Sequence, residues 1–278
     1  MADGLSERIA ERMGILPSGE RRAAHALNAN YPLIGLGSVA EFAKAAGVSA
    51  PTVLRFVARL GFASYPEFQA ALKEELAARA QSPLNRAETA SFGAQPFLGA
   101  IEANLRETFR HLPPAQVNDI ARRLADPRGH VLLVGGRFTD PVARYMAAHL
   151  KIIRAGVTHL AGQESAWGDQ LIDVGKRDTL VLFDIRRYSA NLLALAEAAA
   201  ARGATIILFT DQWLSPIARL SRHVIAGRTT APSPWDSSLA LFAAVELLLC
   251  ETTRAAGEGA ARRIREVERL RGTKPDKD

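Results

Sequence analysis

The sequence predicts an all-α N-terminal helix-turn-helix domain followed by an α/β domain, a parallel sheet flanked by helices. Three observations carry this expectation. Residues 1–80 read as amphipathic helices only, with capping signals between them. From residue 130 onward, short apolar runs alternate with helical stretches. That alternation implies a parallel sheet covered on both faces. Between the two regions, "QSPLNRAETASFGAQP" (81–96) is small, polar and broken by prolines, as a linker is. At 278 residues the chain is long for one ordinary domain. The expected division is 1–80, a linker with a connecting helix over 81–127, and 128–278 with a C-terminal tail.

In the N-terminal part, "LSERIAERMG" and "SGERRAAHALNANY" are amphipathic, punctuated by Pro17 and Pro32. "SVAEFAKAAG" begins with Ser38 and carries Glu41 three residues on, a capping box. Gly47 ends that helix. Ser49 is positioned to cap the next one, with Pro51 in its first turn, where a missing N–H matters least. Gly61 ends it, and "SYPEFQAALKEELAARA" supplies a fifth helix. A helical stretch follows the linker, over about 97–126.

Four strands are expected next: 130–136, 178–185, 205–211 and 223–227. Helices at "DPVARYMAAHLKIIRAG", "SANLLALAEAAAARGA" and "DSSLALFAAVELLLCETTRAAG" alternate with them. Asp236 and Ser237 are placed to cap the last. The tail over 261–278 reads as solvated, partly helical, and frayed after Gly272.

Composition narrows the function classes. The chain is 48% hydrophobic and 23% charged, as globular proteins are. A single cysteine, Cys250, excludes an intrachain disulfide and gives no cysteine metal cluster. The six histidines show no metal spacing, and no cofactor is implied. "MADGLSERIAERMGIL" lacks a signal-peptide core, and the longest apolar run, 239–250, is short and carries Glu246, so no membrane association is expected. A cytoplasmic protein is expected. The net charge of +6 is compatible with a nucleic-acid partner but does not require one.

The stretch "GVSAPTVLRFVARLGF" (47–62) suggests where such a partner would bind. At 100° per residue, Ala50, Val53, Leu54, Val57 and Leu60 share one arc. Thr52, Arg55 and Arg59 lie opposite, and Phe56 is assigned to packing. Hydroxyls and N–H groups at the start of a recognition helix can bind phosphate, and arginine can read guanine. The plainer alternative is that Ser49 is only a cap and both arginines form a solvated face.

"SVAEFAKAAGVSAPTVLRFVARLGFASYPEFQAAL" (38–72) resembles the N-terminal domain of the RpiR family of bacterial transcriptional regulators. Ser38, Glu41, Val48, Ser49, Thr52, Val53, Arg55, Phe56, Leu60, Gly61, Phe62, Tyr65 and Phe68 fit its pattern, with Phe42 in place of the usual leucine. The resemblance implies an operator-binding domain with double-stranded DNA as partner. The candidate DNA-facing residues are Ser38, Ser49, Pro51, Thr52, Arg55, Arg59 and Tyr65.

"LLVGGRFTDPVARYMAAHL" (132–150) resembles the first loop of a SIS (sugar isomerase) domain, the usual partner in that family. There a Gly-x-Gly-x-Ser loop presents a helix N-terminus to a sugar phosphate. Here Gly135 fits and Thr139 can replace the serine, but Arg137 stands at the second glycine. In the second loop, Arg186 and Arg187 occupy the usual Ser-Gly positions and Ser189 the Thr position. The candidate ligand residues are therefore Gly135, Arg137, Thr139, Arg186, Arg187 and Ser189, for a small anionic effector such as a sugar phosphate. Arginine clusters suit oxyanions through bidentate hydrogen bonds. The alternative is that Arg137 pairs with Asp140 or Asp184 and the loop arginines are structural.

The resulting expectation is a ligand-responsive transcriptional regulator without catalytic residues, forming a homodimer or homotetramer through 97–126 and 239–250. The alternative is a SIS-type sugar-phosphate isomerase.

Overall fold

The computed structural model describes residues 5–29, 31–80, 82–90 and 93–272. The expected fraying after Gly272 falls outside them. The N-terminal part consists of α1 (Leu5–Arg12), α2 (Ser18–Ala29), α3 (Leu33–Leu36), α4 (Val39–Ala46), α5 (Ala50–Arg59) and α6 (Tyr65–Ala80). Ser38 and Glu41 form the expected capping box at the start of α4. Gly47, at φ 62°, lets the Val48 and Gly47 N–H groups donate back to the Ala43 and Lys44 carbonyls. That reversal stops α4 and sets the turn into α5. Val53, Phe56, Val57 and Leu60 recur at i, i+3, i+4 and i+7 and are fully buried. Phe56 meets Phe42 of α4 edge to face, with ring centroids 6.3 Å apart.

Two local expectations need correction. Leu54 is 46% exposed, because the buried stripe runs through Phe56 on the other side of Val53. Ser49 occupies the N-cap position, yet its hydroxyl contacts the Thr52 hydroxyl at 2.9 Å and caps no backbone N–H.

The stretch read as a linker contains a helix, α7 (Pro83–Thr89), capped by the Ser82 hydroxyl. Next come α8 (Ala94–Arg110) and α9 (Pro114–Ala125). The α/β part follows as β1 (Val131–Gly135), α10 (Asp140–Ile153), β2 (Val157–His159), β3 (Thr179–Asp184), α11 (Ala190–Ala201), β4 (Thr205–Asp211), β5 (His223–Gly227), α12 (Leu239–Ala256) and α13 (Glu258–Leu270). The sheet is parallel in the order β2-β1-β3-β4-β5. It has one strand more than expected, since β2 is a three-residue edge strand with no apolar run to announce it.

Every residue of β1 and β3 is buried, as expected for strands covered on both faces. Val131, Leu133, Val181 and Ile207 pack against α9, α10 and α12. Leu132, Val134, Leu182 and Leu208 face α11. The chain leaves β1 toward β2 on one side and returns to β3 on the other, so the loops after β1 and β3 diverge. Crevices at the carboxyl ends of strands at such a reversal are where open α/β sheets bind ligands.

Candidate functional site

The outer face of α5 is the first candidate. Its N-terminal turn gathers Ser49, exposed Pro51, Thr52 and Arg55. The Arg55 guanidinium donates to the Thr52 hydroxyl at 3.1 Å and stays 62% exposed. These four residues form one polar surface at the start of the second helix of the helix-turn-helix.

The other three expected DNA-facing residues are engaged within the domain. Arg59 Nε lies 2.5 Å from Glu20 Oε2, and the Glu20 carboxylate from α2 is almost wholly buried. Arg59 is therefore the main counter-charge of a buried carboxylate, a role its position on the polar arc does not reveal. Ser38 shares its hydroxyl with Glu41 at the head of α4. Tyr65 is buried, and its hydroxyl lies 3.1 Å from the carbonyls of both Gly35 and Gly37. Burial, with the nearby Glu41 charge, pushes its phenol up to about 12. Tyr65 braces the turn between α3 and α4 and is not available to a DNA surface.

The second candidate lies at the carboxyl edge of the sheet. Gly135 ends β1 where a Cβ would fall 2.5 Å from Asp140 N, so only glycine lets α10 begin that close to the strand. The Thr139 hydroxyl donates to the Phe183 carbonyl at 2.6 Å and accepts from Gly136 N–H at 2.9 Å. It ties the β1 loop to β3 and has no proton left for a ligand. Arg137 is exposed, its guanidinium 5.2 Å from the Phe138 ring centroid. Asp140 instead pairs with His159 at 2.7 Å and Arg144 at 3.1 Å. The Asp184 carboxylate accepts from the Ser215 hydroxyl at 2.5 Å and Ser189 N–H at 3.2 Å.

The β3–α11 loop departs most from expectation. Arg186 is held at φ 49°, and its N–H donates to Asp211 Oδ2 at 2.5 Å. Its guanidinium grips Asp236 through Nε at 2.5 Å and Nη2 at 2.8 Å, and lies 4.5 Å from the Trp213 ring centroid. Asp236 thus neutralises Arg186 and does not cap α12, whose first turn receives only the Ser237 hydroxyl. Arg187 is exposed. Ser189 caps α11, accepting from Leu192 N–H at 3.3 Å, and its own proton is not spent in that bond. Of the expected ligand residues, Thr139 and Arg186 are engaged in internal contacts, while Arg137 and Arg187 are exposed.

Two buried carboxylates support these loops. Asp211 receives Tyr188 Oη, Arg186 N and Trp213 N, while burial raises its pKa. Asp184 is pushed up to about 6, by burial first. Sequence reasoning missed Glu20, Arg86, Asp211 and Asp236 as organisers; their partners are 23 to 150 residues away. Only the paired arginines at 186–187 hinted that a carboxylate must stand near.

Among the described residues, no helix is long and apolar enough to cross a membrane and no His/Cys/Asp/Glu group could hold a metal. Residues 3–79 match the model of the helix-turn-helix domain of the rpiR family, and residues 123–250 that of the SIS domain. HexR of Pseudomonas aeruginosa, an HTH-type transcriptional regulator, is 33% identical over 124 residues, covering 45% of this chain and 40% of HexR. The bifunctional protein glk of Burkholderia orbicola is 28% identical over 267 residues, 90% of this chain. This chain spans only about two fifths of the length of either relative.

Among solved structures, NanR of Vibrio vulnificus, complexed with ManNAc-6P, covers 96% of this chain and is itself covered over 97%. Its TM-score is 0.52 at 16% identity, a likeness of fold. The sugar isomerase domain of an RpiR transcription factor from Sphaerobacter thermophilus aligns at TM-score 0.58 and 30% identity, over 63% of this chain and 97% of that domain. With an rpiR-type helix-turn-helix ahead of a SIS domain, and that domain shared with an RpiR transcription factor, the chain belongs to the RpiR family.

Proposed function

We propose that this protein is a DNA-binding transcriptional regulator whose SIS domain senses a small anionic metabolite, such as a sugar phosphate. The observation that carries the reading is the polar N-terminal turn of α5. Ser49, Pro51, Thr52 and Arg55 present hydroxyls and an exposed guanidinium at the place where a recognition helix meets DNA. The effector reading rests on Arg137 and Arg187, exposed on the two loops that diverge at the sheet reversal. The NanR complex with a sugar phosphate supports that choice of ligand class. A regulator is favoured over an isomerase because the Thr139 hydroxyl is committed to internal contacts.

Two recognition helices on one assembly suit a palindromic operator, so a homodimer is proposed, with the exposed Phe97 and Leu98 of α8 at its interface. The reading is tested by duplex-DNA binding against salt, where each phosphate contact steepens the dependence. Arg55→Ala is expected to weaken binding by about 1–3 kcal/mol and to relax sequence preference. Unchanged affinity and preference would make the α5 surface a solvated face only.

A further inference from the structure

The 228–238 loop joins α7 and α8 to the loops that follow β1 and β3. At one end α8 braces it: Asn104 Nδ2 donates to the Thr230 carbonyl at 2.8 Å, and Arg228 N–H to the Thr108 hydroxyl at 2.9 Å. At the other end Trp235 meets Phe138 of the β1 loop, with ring centroids 6.0 Å apart and the ring planes tilted by 56°. Beside it, the Asp236 carboxylate lies between two arginines from distant segments. Arg186 of the β3 loop grips it through two nitrogens. Arg86 of α7 donates to the same Oδ1 at 3.0 Å and to the Trp235 carbonyl at 3.2 Å. All three side chains are largely buried, at 9%, 14% and 9% exposure for Arg86, Asp236 and Arg186.

Helix α7 begins three residues after α6 ends, so where α7 docks constrains where the helix-turn-helix sits. Arg186 and Arg187 are adjacent, so where Arg186 is held constrains the crevice.

We propose that Asp236 is the coupling residue between the effector crevice and the DNA-binding domain: one carboxylate clamps α7 and the β3 loop together, and an oxyanion entering the crevice competes with it for Arg186. The clamp rests on the proposed function in taking the effector to be anionic. Both guanidiniums hold the one loop that carries Asp236, so losing either lets the carboxylate shift and weakens its hold on the other. An oxyanion that draws Arg186 away leaves Asp236 on Arg86 alone, and α7 loosens. Asp236 also sets selectivity, because a neutral ligand has no charge with which to displace it.

Deuterium exchange on the full chain tests this. Arg86→Gln is expected to raise exchange not only over 82–90 but also over 185–189, and Arg186→Gln to do the same in reverse, each on the order of tenfold. Asp236→Asn, which keeps the shape and removes the charge, is expected to loosen both segments while 131–135 stays protected. Inorganic phosphate, as the probe, is expected to raise exchange over 82–90 in the parent protein and not in Asp236→Asn. Changes confined to each variant's own segment would overturn the clamp. So would phosphate that binds, read as a thermal shift lost in Arg187→Ala, yet leaves 82–90 unmoved. Absence of any phosphate-induced shift would count against the anionic-effector reading and the competition step, while the reciprocal arginine variants still decide the clamp.

Discussion

Arg55 and Arg59 are one helical turn apart on the same face of α5, yet their removal should have opposite consequences. Arg59 Nε is 2.5 Å from Glu20 Oε2, and the carboxylate side chain is only 4% exposed, whereas Arg55 Nε stands at 4.0 Å. Removing one partner of a fully buried pair costs about 3–5 kcal/mol, because a charge is left without a partner. Arg59 is itself 46% exposed, so water already screens the pair and can reach the carboxylate once the side chain is gone. Arg55 can also swing toward Glu20. Arg59→Ala should therefore cost about 1–3 kcal/mol of stability. Glu20→Gln in the same chain should restore part of it, since the amide carries no charge. Arg55→Ala should leave stability within about 0.5 kcal/mol and weaken DNA binding. Urea unfolding followed in the helical signal, with DNA titrations well below the transition, separates the two effects. If Arg59→Ala leaves unfolding unchanged and weakens DNA binding as much as Arg55→Ala, the ion pair is not structural and Arg59 belongs on the DNA surface.

Gly135→Ala places a methyl 2.5–2.6 Å from the backbone of Thr139 and Asp140, which cannot yield as a flexible side chain would. A destabilisation of at least about 1–3 kcal/mol is expected in thermal unfolding, and a tolerated alanine would mean that α10 does not start against the strand. Tyr65→Phe removes the hydroxyl shared by the Gly35 and Gly37 carbonyls, while Gln69 Nε2 still serves Gly37 at 2.8 Å. About 1 kcal/mol should be lost with DNA affinity unchanged, and a selective loss of DNA affinity would return Tyr65 to the DNA-facing set. Asp184 holds its proton up to about pH 6 in the folded chain, against an ordinary 3.8. Its contribution of about 3 kcal/mol is therefore complete below 3.8 and lost as pH rises through about 6. Asp184→Asn should flatten the pH dependence of unfolding over that window, and an unchanged slope would place the titration elsewhere.

Local chemistry was legible wherever sequence neighbours supply both partners of an interaction. The Ser38–Glu41 capping box, the glycine stops at 47 and 61, and the alternation of strands and helices all depend on residues a few positions apart. The motif of 38–72 and the first loop of the SIS domain were readable for the same reason. Failures occurred where two arcs of a helix compete for burial. Leu54 and Phe56 flank Val53; Phe56, assigned to packing, is buried against Phe42 of α4, whereas Leu54, placed on the buried arc, is exposed. The edge strand β2 was missed because it forms by pairing with β1, with no apolar run of its own.

The sequence by itself determined the two-part architecture, the helix-turn-helix and the parallel sheet, because hydrophobic periodicity and capping act over a few residues. It also placed arginines at the ends of the right strands. Which arginines face outward was decided only in three dimensions. Arg59 is drawn to Glu20, 39 residues away, and Arg186 to Asp236, 50 residues away. Arg137 and Arg187 remain exposed. A buried carboxylate is neutralised by a cation the fold brings within reach or by a proton, and that outcome depends on the packing of distant elements, which no local pattern encodes.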